Sequence, residues 1–371
     1  MELYEKIYVK PLFLETDHGE IPCEQCHGGN PADDNWQTAH ENVVPDPTFP
    51  DPAAACGECH EDIVSSVVTS LHYTLRPMRA AIEQRAGDAD AATLMTLNMA
   101  MDRHCSTCHA SCGQCHVSRP DYAHGGLLAA HRFIKTPAMD TTCASCHGGR
   151  VHGEYTGADE DLAADVHYAD QEMSCMECHK SAEMHASAHE AATRFNLPER
   201  PDCLTCHPDA AAENSAVRSH ALHQGKLACQ VCHAQASKSC FSCHVGTDKK
   251  GLPFFKCKQT QMMLKIGMNP MPSPERPYDY VVVRHPPVSP TTFDAYIKNG
   301  LRRFDSLPTW KMDTPHNIQR STPRNQACNN CHGNAQLFLK KSDLASWEVT
   351  ANSGVIVPEG RIPAPINEET E

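Results

Sequence analysis

Twenty of the 21 cysteines in this 371-residue chain fall into ten copies of Cys-x-x-Cys-His. The copies are Cys23, Cys26, His27; Cys56, Cys59, His60; Cys105, Cys108, His109; Cys112, Cys115, His116; Cys143, Cys146, His147; Cys175, Cys178, His179; Cys203, Cys206, His207; Cys229, Cys232, His233; Cys240, Cys243, His244; and Cys328, Cys331, His332. Two thiols three positions apart can add across the two vinyl groups of one haem, and the histidine that follows then lies under the iron as its first axial ligand. Chance at this composition gives about 0.08 copies, so ten are a built pattern. A disulfide framework has no use for a histidine after every second cysteine. Zinc ribbons need two cysteine pairs per metal and no fixed histidine. A thioredoxin-like pair occurs once, between a strand and a helix. The motifs therefore predict ten covalent haems c.

Ten motif histidines leave fourteen of the 24, enough to reach every iron from its second side. The expected second ligands are His18, His40, His72, His131, His167, His185, His220, His223, His285 and His316. His18, His167 and His223 precede a motif by only five to eight residues, too short a path over the far face of the same haem, so each is expected to serve a neighbour. His220 and His223 lie three apart on one expected helix and are read as facing two haems. His104, His124, His152 and His189 are read as ordinary solvated or core histidines, with His189 an alternative to His185. Met78, Met101 and Met173 are near enough to displace a histidine, although packing is their commoner role. Iron held by imidazole on both sides offers no open position for substrate, and its potential is low. The odd cysteine, Cys257, defaults to a buried inert thiol, with an intersubunit disulfide as the sharper idea.

These side chains have to be positioned by a chain with 40% hydrophobic and 6% aromatic residues, a thin supply for two conventional cores. The expected fold is mostly irregular with short α-helices and little β, wrapped round a stacked chain of haems that serves as the core. The 27 prolines and 20 glycines agree with short helices and long irregular segments. Helices are expected over Glu61–Gly87, Ala89–Arg103, Ser181–Phe195 and Asp209–Gln224, and a strand over Tyr278–Val283. Residues 1–245, with nine motifs, form the expected haem-packed region; 246–327 carry no motif and supply distal ligands; 328–371 hold the last motif and an acidic, Pro-punctuated arm. Two motif pairs start close together, Cys105 with Cys112 and Cys229 with Cys240, and are expected to hold neighbouring haems.

A formal charge of −14, before any haem propionate, argues against nucleic acid or anionic lipid as partner. The chain has no apolar run long enough to span a membrane. Covalent attachment of this kind occurs outside the cytoplasm, yet Met1–Pro22 lacks the charged start and apolar stretch of a secretory signal, so a processed or truncated form is expected.

The run Cys105-Ser-Thr-Cys-His-Ala-Ser-Cys-Gly-Gln-Cys-His-Val-Ser-Arg-Pro120, then Gly125-Gly126-Leu127 and His131, Cys143-Ala-Ser-Cys-His-Gly-Gly-Arg150, Asp165-Val-His-Tyr168 and Glu183-Met-His185 resembles multihaem cytochromes c. More narrowly it is similar to the group around octahaem tetrathionate reductase and to extracellular, filament-forming cytochromes; the likeness is clearest over 105–245. In the reductases of that group, resemblance implies one haem with a lysine from an altered motif and an open side. Here all ten motifs end in histidine, which removes that position. The expectation is thus a non-enzymatic electron carrier at the cell surface or outside it, alternatively periplasmic. It would exchange electrons with redox partner proteins or extracellular acceptors, either as a homopolymer or as a soluble shuttle. The rival is a reductase of sulfur or nitrogen oxyanions.

Overall fold

The computed structural model describes residues 8–108, 110–120, 123–159, 162–185, 194–197, 200–213, 215–257, 259–286 and 288–367. About 40% of the chain is helical and 11% is strand, and among the described residues no sheet closes into a barrel. The longest helices, Ala53–Val67 and Ala91–His104, have 15 and 14 residues; most others have four or five. The chain forms two compact units. The first comprises Met1–Ala80, Cys105–Gly148 and Ser174–Pro201; the second comprises Ala81–His104, Gly149–Met173 and Asp202–Glu371. Six motifs fall in the first unit and four in the second.

The first unit is built from motif-bearing turns pinned by polar contacts. Cys23–His27 and Cys112–His116 are single helical turns. The second is closed by a capping box, in which Ser111 accepts from Gln114 N–H and the Gln114 side chain reaches back to Ser111 N–H. The 46–48 loop clamps the same turn: Ser111 donates to Asp46 at 2.7 Å, and Gly113 N–H to Thr48 Oγ1 at 2.9 Å. Helix Ala53–Val67 carries Cys56, Cys59 and His60 and breaks step at His60 (φ −120°, ψ 36°). Among the described residues, this unit's buried hydrophobic side chains are Phe13, Val64 and Val117 alone.

The second unit has a conventional apolar core. Ile82 and Ala86, from helix Arg76–Ala86, and Leu97, Ala100 and Met101, from helix Ala91–His104, pack with Val245, Phe293, Leu301 and Phe304. Within this core Arg85 is 1% exposed, and two carbonyls satisfy its guanidinium, Phe304 O at 2.9 Å and Pro308 O at 2.8 Å. Burial still lowers its pKa, to about 10.

Among the described residues, seven short strands make three antiparallel sheets. β1 (Ser237–Phe241) pairs with β4 (Gln259–Met263), β2 (His244–Thr247) with β3 (Pro253–Lys256), and β5 (Lys265–Met268) with β6 (Tyr280–Arg284), which also pairs with β7 (Lys311–Met312). Val281, Val282 and Val283 are all buried, so β6 is covered on both faces, as its unbroken apolar run requires. The C-terminal arm provides part of the cover: Leu339 N–H donates to Ile266 O, Met268 N–H to Val355 O, and Val357 N–H to Leu339 O. Gly267 permits that approach, since a Cβ there would stand 2.8 Å from Val355 O.

Helix Ala91–His104 and the strand Tyr280–Arg284 match their sequence expectations within two residues. The single helix expected over 61–87 is three: it ends at Val67, restarts at Leu71–Thr74 under a Ser70 cap, and restarts again at Arg76 after Leu75 takes a left-handed turn (φ 50°). The 209–224 helix is likewise split, into a 3-10 turn Pro208–Ala211 and helix Arg218–His223. Of the expected Ser181–Phe195 helix the structure shows Ser181–Met184; residues 186–193, His189 among them, lie outside the described residues. Among the described residues, no helix is long and apolar enough to cross a membrane.

Candidate haem-attachment sites

A turn of helix places residues i, i+3 and i+4 on one face, which is the geometry that two thioethers and an axial histidine share. Cys23–His27, Cys112–His116 and Cys229–His233 form such turns over the whole motif. Cys175–Cys178 is helical through its second cysteine, and Cys203–Thr205 and Cys328–Asn330 are 3-10 turns over the first three motif residues. The ninth motif departs from this pattern. Cys240 lies in β1, Cys243 is 4% exposed, and exposed His244 opens β2, so the backbone there is extended and turns at Ser242 (φ 45°). All 21 cysteines are free thiols, so no disulfide framework is present.

Seven motif histidines face a second imidazole. In the first unit His27 stands 5.8 Å from His131 between ring centres, His60 6.2 Å from His18, His116 6.2 Å from His185, and His147 6.2 Å from His72. In the second unit His207 stands 6.1 Å from His167, His233 5.9 Å from His220, and His332 6.0 Å from His223. Two imidazoles bound on opposite sides of one metal, with bonds of about 2.0 Å and ring centres about 1.1 Å behind each nitrogen, stand about 6.2 Å apart. Every one of the seven pairs meets that spacing, and each joins a motif histidine to a non-motif one. His18, His167 and His223 each face a motif other than the one they closely precede, and His220 and His223 face two different motifs.

The rings are also held in the state that a metal needs. Carbonyl oxygens take Nδ1 of His27 (Val44, 2.7 Å), His116 (Ile134, 2.6 Å), His233 (Gln319, 3.0 Å), His332 (Ala364, 3.2 Å) and His223 (Ser219, 2.8 Å). Carboxylates do the same for His167 (Asp165, 2.9 Å) and His179 (Glu183, 2.8 Å). Such a bond puts the proton on Nδ1 and leaves Nε2 as the donor nitrogen. Burial, and then the opposing imidazole, push His18, His131, His185 and His220 below the ordinary histidine pKa. His131 is moreover held at φ 74°, a left-handed conformation that a non-glycine residue adopts only where its surroundings impose it.

Thiols of different motifs also meet. The Cys175 thiol hydrogen-bonds Cys143 and, with burial adding to that bond, is pushed upward; Cys203 is raised in the same way by Cys229. Burial and then Cys112 and Cys26 raise Cys56 to about 11; burial and Cys143 take Cys115 to about 11; burial and Cys331 take Cys232 to about 11. Among the described residues no group of three or more His, Cys, Asp or Glu is placed to hold a bare ion. The donor set on offer is instead a facing pair of imidazoles, which would suit the iron of a haem.

The remaining expected ligands sit differently. His40 is exposed, with Nδ1 on Trp36 O at 2.7 Å, and no imidazole among the described residues stands opposite it. His285 has both ring nitrogens engaged, Nδ1 near Pro286 O at 3.0 Å and Nε2 near Glu348 Oε1 at 3.3 Å, with its edge on Trp310. His316 donates its backbone N–H to Glu154 at 3.1 Å. His109 lies outside the described residues. Of the histidines set aside, His104 contacts Tyr296 Oη at 2.6 Å, His124 has φ 75°, and His152 ends the turn Gly148–His152. Met101 is buried in the apolar core, Met78 is exposed, and Met173 takes the Tyr155 hydroxyl on its carbonyl. Cys257 is half-buried between β3 and β4. Sequence reasoning overlooked the carboxylates that orient ligands, Asp165 and Glu183. Their signals were the spacings Asp-x-His167 and His179-x-x-x-Glu.

No family model, curated protein or solved structure matches this chain.

Proposed function

We propose that this chain is a decahaem c-type cytochrome that carries electrons outside the cytoplasm, with the polypeptide wrapped round a row of haems and no catalytic site of its own. The observation that carries this reading is the set of seven imidazole pairs, 5.8–6.2 Å apart, each with one partner drawn from a Cys-x-x-Cys-His motif. Bound haem c would supply a reversible one-electron ferric–ferrous couple. The chain's part is to tether, orient and close. The cysteine pairs fix each ring by two bonds. The Nδ1 contacts set the tautomer and raise the basicity of the coordinating nitrogen. The second imidazole denies the open position that a substrate would need. Thiol neighbours support a spatial order of sites 1–2–4–5–6 in the first unit, through Cys26, Cys56, Cys112, Cys115, Cys143 and Cys175. They support 7–8–10 in the second, through Cys203, Cys229, Cys232 and Cys331. Partners on this reading are further copies of the chain, redox proteins and extracellular electron acceptors.

Electron paramagnetic resonance of the oxidised holoprotein tests it: low-spin ferric signals throughout support bis-histidine conduction. The rival, a reductase of sulfur or nitrogen oxyanions, draws its support from His244, which no described imidazole faces. A high-spin signal that shifts on addition of nitrite or tetrathionate would favour it.

A further inference from the structure

The seven imidazole pairs share a spacing but not a twist. The ring planes of His18 and His60 differ by 18° and those of His116 and His185 by 23°. The pairs His27–His131, His72–His147, His167–His207, His220–His233 and His223–His332 are turned by 53°, 78°, 62°, 61° and 64°. On a low-spin ferric ion that angle has electronic weight. Parallel imidazoles donate π density into the same iron d orbital and split it from its twin, whereas crossed imidazoles feed one orbital each and leave the two nearly degenerate. A parallel pair therefore gives a rhombic paramagnetic signal. Its doubly fed orbital also loses an electron more readily, which lowers the potential.

The second site holds its planes by an unusual means. Oxygens at Nδ1 fix one ring or both in the pairs containing His27, His116, His167, His233 and His332. Neither ring of the His18–His60 pair has such a contact among the described residues. Phe133 stands there instead, face to face on His18 with 4.0 Å between ring centres and 12° between planes. Its edge meets His131 at 6.1 Å, and at 37% exposure it belongs to no buried apolar cluster. The adjoining chain serves two further sites. His131 faces His27; Ile134 donates its N–H to His116 O at 2.9 Å and takes His116 Nδ1 on its own carbonyl at 2.6 Å. Residues 131–134 thus form a strap over the first, second and fourth sites.

Resting on the haem reading above, we propose that Phe133 is a positioning residue. Its flat face holds His18 parallel to His60 and so gives the second site a lower potential than a crossed pair there would have.

Electron paramagnetic resonance of the oxidised holoprotein with spin quantitation, followed by redox titration, tests this. Phe133→Leu keeps apolar bulk and removes the flat face. It should lose one site's worth of rhombic signal to a more anisotropic low-spin one and move one midpoint upward, with haem content unchanged. Phe133→Tyr retains the face and should keep the wild-type spectrum and midpoints. A Phe133→Leu variant matching wild type, or the two variants changing alike, would overturn the positioning role and leave the haem reading intact. A high-spin site in Phe133→Leu would overturn it too, since the ring would then secure the bond and not its angle. A bare-polypeptide mass for the intact chain would instead overturn the haem reading on which the role rests.

Discussion

The two units of this molecule solve the same problem with opposite resources. The second, with four motifs, buries Leu97, Met101, Phe293, Phe304 and the β6 valines, a core that needs nothing beyond the chain. The first carries six motifs, yet among its described residues only Phe13, Val64 and Val117 are buried hydrophobics. Apolar burial drives folding at about 25 cal/mol per Å², and the described part of the first unit draws on it through far fewer side chains than the second. What remains to be buried in the first unit is the inward face of its motif turns and facing imidazoles. On the haem reading proposed above, the contrast means that haem density and protein core substitute for one another: where motifs crowd, porphyrin would serve as the core, and where they thin out, side chains take that role.

The strongest way to break the contrast is to withhold haem. Chain made where attachment cannot occur should lose the first unit altogether, with rapid protease cleavage over 8–80, while peptides holding Leu97 and Phe304 stay protected; uniform protection of both units would defeat the comparison. Next in size is the apolar core. Phe304→Ala removes a ring that also lies under the Arg85 guanidinium at 4.3 Å. It should cost about 3–5 kcal/mol in chemical denaturation without changing haem content. The imidazole pairs provide a finer test. His72→Ala, opposite His147, should convert one iron to high spin, whereas His285→Ala, whose nitrogens rest on Pro286 and Glu348, should leave the spectrum unchanged and lower stability alone. The smallest effect is local: Ser111→Ala opens the capping box over the fourth motif and should cost about 1 kcal/mol, seen as a small drop in midpoint.

Much of the candidate site was legible in the sequence because the motif is a short-range object. Four consecutive bonds of backbone put Cys112, Cys115 and His116 on one helical face, and no tertiary information is needed to see it. The existence of partner imidazoles was legible as a surplus of histidines, and spacing ruled out some partners for His18 and His223. Which ring meets which was not legible, because His131 reaches back to His27 and His72 forward to His147, contacts that local periodicity does not encode. The break of the 61–87 helix at Ser70 and Leu75 was hidden for a similar reason: both residues sit inside a good apolar stripe, and the left-handed turn at Leu75 has no residue signature. The ninth motif shows the limit most clearly. Its five residues read like the other nine, yet pairing of β1 with β4 and of β2 with β3 draws them into strands. The protein core of the second unit was missed because low overall hydrophobicity was averaged across two units that are unlike.

The most direct test of the central claim is the intact mass of the chain, produced where haem attachment can occur, measured under denaturing conditions. Ten covalently retained porphyrins per polypeptide is the predicted result. The mass of the unmodified chain, with twenty free motif thiols, would contradict the account at its root.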